Sequence, residues 1–452
     1  MMAPEKLPRT YWIAAVIIII AIPLVMLYLD AVQRGQAFDE YLRGLFTSVT
    51  DTNSHETGEA LDKSTPLFLA SRLIGEGIDE TPPWITHVIT ADLDRDGLLD
   101  VIACDAIRNQ IVWIHQTAAG QFQEIPIGAS VPAPAHAAVS DIDGDGDLDV
   151  LVAVMGAILP TNDKIGAIVI LENNGSEQFT NRVIDEQVSR VTDVQAGDFD
   201  GDGDIDLSIG QFGYYDGEIR WLEQTASWQF ESHQLLNLSG TIHTPVGDLD
   251  GDGDLDIAAV VSQEWEEIYA FENDGNGNFT QHLVYGSTNE DFGSSGLSLA
   301  DLDLDGDLDM LYTNGDAFDY SPPGPRPWHG VQWLENNGSL AFEYHRIGDF
   351  PGAYAAQAAD GDRDGDLDVF LVSTFNAWDD PTAQSLSWFR NDGNMEFTLH
   401  DLASSPTHLL TLTSGDINDD GWTDLVTGSM HVYPPYDRMG RVTLWTNTWS
   451  GR

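Results

Sequence analysis

The stretch Asp141-Ile142-Asp143-Gly144-Asp145-Gly146-Asp147-Leu148-Asp149 sets carboxylates at positions 1, 3, 5 and 9 of nine residues, with glycine at position 6. Hard oxygen donors on alternate residues of a tight loop suit calcium; the glycine permits the turn and the position 7 carbonyl can add a ligand. Asp and Gly also favour turns, so one such loop could be turn chemistry alone. The pattern recurs seven times, however, beginning at Asp92, Asp141, Asp198, Asp248, Asp301, Asp360 and Asp416, with starts 49 to 59 residues apart. Turn formation asks for no carboxylates at four fixed positions, and close carboxylates repel.

The candidate ligands are therefore Asp92, Asp94, Asp96 and Asp100; Asp141, Asp143, Asp145 and Asp149; Asp198, Asp200, Asp202 and Asp206; Asp248, Asp250, Asp252 and Asp256; Asp301, Asp303, Asp305 and Asp309; Asp360, Asp362, Asp364 and Asp368; and Asp416, Asn418, Asp420 and Asp424. Up to seven Ca²⁺ are expected, most weakly in the last loop, where Asn418 supplies a neutral oxygen. An EF-hand would need flanking helices and Glu at position 12, where these repeats read as strand. Tandem thrombospondin-type loops would need disulfides, and Cys104 is the sole cysteine.

Working outward, each loop follows a short apolar run such as Val88-Ile89-Thr90-Ala91 and precedes a β-branched one such as Val101-Ile102. A third segment ends in a hairpin turn, as in Trp333-Leu334-Glu335-Asn336-Asn337-Gly338. A fourth opens on Phe with an apolar residue five later, as in Phe122/Ile127 and Phe342/Ile347. Four strands per repeat of about 50 residues is a propeller blade. The seventh repeat stops after Leu444-Trp445, and Phe68 with Leu73 supplies the missing pattern near the other end. The fold class expected is all-β: a seven-bladed β-propeller over residues 66–447, with 66–75 completing the last blade, and an N-terminal transmembrane anchor helix.

That anchor is residues 12–29, uncharged and preceded by Lys6 and Arg9. Its length suits a bilayer crossing, and the basic flank places residues 1–11 in the cytoplasm. Residues 30–65 read as a stalk. Removal of the segment as a signal peptide would give a secreted protein; either way the bulk of the chain is extracytoplasmic, at the cell surface or in a periplasm. Nineteen basic against seventy-four acidic residues, a formal charge of −55, argue against nucleic acid. Seven divalent ions would bring −55 to −41.

These loops and blades resemble the FG-GAP/VCBS repeat proteins, whose propeller is similar to the head of integrin α subunits. Phe292-Gly293 before the fifth loop is the nearest approach to the Phe-Gly element of that family, and its Gly-Ala-Pro element is not evident. The resemblance implies structural calcium on one face of the ring and ligands on the other. The connections expected on that other face carry Tyr214-Tyr215, Trp265, Phe318 to His329, Phe375 to Trp378 and Tyr433 to Tyr436. Such aromatics could contact sugar or protein, or pack on neighbouring loops.

Five residues before the first loop aspartate stand His87, His136, Asp193 and His243 in the first four blades. Facing the channel at similar depth, they could bind a transition metal or form a solvated polar lining. No Gly-x-Ser-x-Gly elbow, His-Glu-x-x-His helix or phosphate-cradling loop is present in the sequence. The function expected is a membrane-anchored, non-catalytic binding or adhesion module for extracellular protein or carbohydrate. A calcium-dependent polysaccharide lyase or hydrolase and a structural spacer are the alternatives.

Overall fold

The computed structural model describes residues 69–448, except 160, 214, 264, 265 and 290. The expected anchor, the stalk and Phe68 lie outside those residues. Among the described residues no helix is long and apolar enough to cross a membrane. Every regular element named there is a β-strand.

Blade one comprises Ile85–Ala91, Asp100–Asp105, Gln110–Ala118 and Gln121–Ile127, antiparallel and in chain order. Blades two to six repeat this order; in blade four the first strand is broken into Thr241–His243 and Val246–Gly247, both paired with Asp256–Val261. Blade seven takes Leu409–Gly415, Asp424–Ser429 and Val442–Asn447 from its own repeat and Leu69–Leu73 as its outermost strand, in register from Leu69↔Asn447 to Leu73↔Thr443. The first strands of successive blades touch in turn, and that of blade seven touches that of blade one, which closes the ring and makes them the innermost.

The core lies between blades. Second strands such as Asp100–Asp105 and Asp149–Val154 are buried throughout, because each sheet is covered on both sides by its neighbours. Ile102, Cys104 and Trp113 of blade one thus pack with Val150, Val152 and Leu171 of blade two. Burial pushes the Cys104 thiol far above its ordinary value, so it behaves as a small apolar residue. Phe292 also enters the core, while Gly293 turns at φ 82° and donates its N–H to Glu266.

The closing seam between blades seven and one carries an ionic latch. Arg441, almost fully buried, donates to both carboxylate oxygens of Glu124 and to Asp105 Oδ2 at 3.1 Å. Glu124 Oε2 also accepts the N–H of Glu76 at 2.7 Å.

Candidate metal loops and the opposite face

Each acidic loop joins the innermost strand to the second, and all seven share one hydrogen-bond scaffold. The position 6 glycine donates its N–H to the position 1 carboxylate over 2.7 to 3.2 Å. The position 3 side chain accepts from the position 5 N–H. The position 5 carboxylate, exposed in every loop, accepts from the position 7 N–H. Glycine at position 6 adopts φ between 80° and 104°. Position 4 is left-handed as well, and there Arg95, Leu304, Arg363 and Asp419 accept it without being glycine.

The position 9 aspartate begins the second strand and is buried in all seven blades. One of its oxygens accepts from the third strand, at 2.7 to 2.8 Å. In blades one to six the other accepts from the position 2 N–H, at 2.8 to 3.2 Å. These residues are struts of the blade as well as candidate ligands. Burial, reinforced by the neighbouring carboxylates, pushes Asp149, Asp206, Asp256, Asp309 and Asp424 up to about 6 and Asp368 up to about 7, against the opposing pull of those backbone N–H groups. A cation at the loop would relieve that repulsion.

Carboxylate oxygens of positions 1, 3 and 9 converge within 4.8 Å in the second loop (Asp141, Asp143, Asp149) and the third (Asp198, Asp200, Asp206). In the first, the converging set is Asp94, Asp96 and His115. Oδ1 of Asp92, Asp141, Asp301 and Asp360 is buried with no hydrogen-bond partner. A hard cation would satisfy such an oxygen, so the donors fit Ca²⁺.

Two residue sets that sequence reasoning passed over adjoin the loops. On the third strand, Glu172, Glu223, Glu272 and Glu335 add charge beside position 3 of loops two to five. Blade six has Arg390 there instead, and its guanidinium reaches Asp362 at 2.7 Å and Asp364 at 3.3 Å. The next residue is Gln or Asn. Its amide donates to the position 2 carbonyl of the preceding blade at five seams: Gln116 to Ile417, Gln224 to Ile142, Asn273 to Phe199, Asn336 to Leu249 and Asn447 to Gly361. The signal lay in the Glu-Asn and Glu-Gln steps beside the hairpins, which read as turn residues.

The connections from second to third strands leave the opposite face. Phe318 meets Phe375 edge-on at 4.7 Å and Tyr433 at 6.4 Å, and Phe375 and Trp378 are buried. Much of the aromatic content of these loops is therefore spent on packing loops of blades five to seven together. What remains open is a cleft of about 370 Å³ lined by Phe375, Trp378, His408, Tyr433, Pro434 and Pro323, among others. Tyr215 is 81% exposed; Tyr214 and Trp265 lie outside the described residues. At the innermost strands, His136, Asp193 and His243 converge, and His87 stacks on His136.

Closed ring, antiparallel four-stranded blades and a repeated acidic loop define a seven-bladed β-propeller of repeat type. The chain is built of FG-GAP-like repeats, the description that matches residues 92–152, 248–312 and 362–427. No curated protein matches. Among solved structures the chain is similar to BBS1N in complex with ARL6DN, at 13% identity and a TM-score of 0.51, covering 82% of this chain and 94% of that one. It is also similar to the exotype rhamnogalacturonan lyase YesX, at 13% identity, TM-score 0.44 and coverage of 77% and 64%. An ancestral GH74 enzyme matches at 14% identity, TM-score 0.47 and coverage of 67% and 41%. At 13% identity the likeness to BBS1N is one of fold alone.

Proposed function

We propose that the chain is a calcium-stiffened binding module, held outside the cytoplasm by residues 12–29, that takes carbohydrate or protein on the face opposite its acidic loops. The observation that carries this reading is the division of labour between the faces. One face repeats a single loop geometry seven times, whereas the other differs from blade to blade and opens the aromatic cleft at Phe375, Trp378 and Tyr433. A cleft of that volume falls within the range of small-ligand sites, and uniform loops suit a structural ion. The surplus of acidic residues makes nucleic acid an unfavourable partner.

Among the loops, Arg390 makes the sixth the weakest calcium site, ahead of the seventh with its Asn418, because a guanidinium already neutralises Asp362 and Asp364. The module is read as non-catalytic, since the sequence carries no Gly-x-Ser-x-Gly elbow, His-Glu-x-x-His helix or phosphate-cradling loop.

The test is titration of the purified protein with a panel of neutral and acidic oligosaccharides and apolar peptides, in millimolar Ca²⁺. Tyr433→Ala should weaken binding of whatever ligand the panel finds at least tenfold and leave calcium-dependent melting unchanged. A ligand that binds equally to the variant, or turnover of an oligosaccharide, would overturn the reading.

A further inference from the structure

His87, His136, Asp193 and His243 hold one register position on four adjacent innermost strands, opposite Cys104, Ala153, Gly210 and Val260 respectively. A register shift precedes each of them, and bulges of this kind re-aim side chains. The side chains meet. His136 Nδ1 lies 2.9 Å from Asp193 Oδ1, and His243 Nδ1 lies 3.8 Å from Asp193 Oδ2. Two ligands held at about 2.1 Å from one ion, at tetrahedral or octahedral angles, stand roughly 3 to 3.5 Å apart, so these spacings need only small adjustment.

Two further observations point to a ligand. His136 is 8% exposed, and its buried Nδ1 has Asp193 Oδ1, at 2.9 Å, as its close polar neighbour, so a ligand atom is aimed at a carboxylate in a site shut off from water. Asp193 is buried and held by the N–H of Thr244 at 2.7 Å and by Gln195 Nε2 at 3.0 Å, the outer support that metal-binding carboxylates have.

We infer that His136, Asp193 and His243 form a site for one divalent first-row transition ion at the centre of the ring, separate in chemistry and place from the acidic loops. Two imidazoles and a carboxylate suit Zn²⁺ or Fe²⁺ and leave coordination positions open. His87 stands outside the ligand set. Its Nδ1 accepts the N–H of Ala137 at 3.3 Å, which leaves the proton on Nε2 and no free lone pair for a metal. Stacked on His136 at 3.6 Å between centroids, it fixes that ring instead. The equivalent positions of blades five to seven are Gly296, Ala355 and Thr411. These small residues put the open coordination positions toward that half of the channel, so the ion could meet a small ligand there.

The test uses the full chain, stripped with chelator and returned to millimolar Ca²⁺ so that the acidic loops are occupied. One equivalent of Co²⁺ should bind and give the visible d–d bands of an imidazole-carboxylate site, and metal analysis after Zn²⁺ or Fe²⁺ exposure should find one ion and show which is retained. His243→Gln, at a partly exposed position, should fold as the parent does and weaken Zn²⁺ binding more than about 100-fold, beyond the 10- to 100-fold of outer-shell changes. His87→Ala should keep the ion. Absence of Co²⁺ bands in the unaltered, folded chain, or undiminished binding by His243→Gln, would overturn the assignment. Neither result depends on whether the loops bind calcium.

Discussion

Leu304 shows how one residue can work against a fold that tolerates it. It holds φ 62° at position 4 of the fifth loop with 53% of its surface exposed, where Gly144, Gly201 and Gly251 do the same without a Cβ. A left-handed L-residue costs about 1–2 kcal/mol, and glycine returns part of that through greater freedom in the unfolded chain. Leu304→Gly should therefore stabilise the protein by about 0.5–1 kcal/mol, read as a higher urea midpoint at fixed calcium. His408 works with the opposite sign. Burial, with Arg438 and His431 nearby, pushes it down to about 3 from an ordinary value of 6.5. Because its folded value lies below its unfolded one, the stability it contributes is present in full above pH 6.5 and is lost as pH falls below that. The stability difference between the parent and His408→Gln should shrink by roughly 1–3 kcal/mol between pH 7 and 4.5, at about 1.4 kcal/mol per unit. A pH-independent difference would mean that the imidazole titrates in the fold as it does in the unfolded chain.

At the scale of the strand and the blade, repetition made the sequence legible. In blades one to six Phe122/Ile127 and its counterparts fall within outermost strands, and the loops run from the end of the first strand to the position 9 aspartate that opens the second. Three-dimensional neighbours without a repeating spacing stayed hidden. Arg390 and Glu172 occupy the same place in different blades, but only the fold brings them beside a loop roughly 25 residues earlier in the chain. The latch is hidden for the same reason: Arg441 meets Glu124 across a separation of 317 residues. Its removal should be severe. Arg441→Ala leaves the buried carboxylates of Glu124 and Asp105 with only Arg108, 3.8 Å from each, and should cost up to the roughly 3–5 kcal/mol of a broken buried pair. Hydrogen exchange should then rise first in Leu69–Leu73, whose strand ends beside the seam; a uniform rise across all blades would place the latch outside the closure.

For the whole molecule, charge and metal are coupled. Seven loops hold 33 of the 74 acidic residues, and the buried position 9 carboxylates resist ionisation, so the metal-free ring opposes its own compactness. Millimolar Ca²⁺ should raise the melting temperature markedly over chelator, since a site at 100 times its Kd adds about 2.7 kcal/mol. Arg390→Glu should raise the bound-calcium count by one by giving the sixth loop the carboxylate that Glu172 gives the second. An unchanged melting temperature would mean that the loops are not metal sites. Channel chemistry was legible only in part. The common offset of His87, His136, Asp193 and His243 could be read from the chain, whereas the tautomer that sets His87 apart depends on Ala137 of the next blade.

The shared last blade also sets a clock. Among the described residues Leu69–Leu73 pairs with Val442–Asn447 alone, roughly 370 residues later, and ribosomes add about 5–20 residues per second. The segment therefore emerges some 20 to 75 s before its mate exists, exposed to proteases, to chaperones and to the unfinished edges of neighbouring nascent chains. A ring closed in this way completes its seam only after nearly all of the described chain has been made, so premature termination anywhere before Val442 yields a product with an open edge.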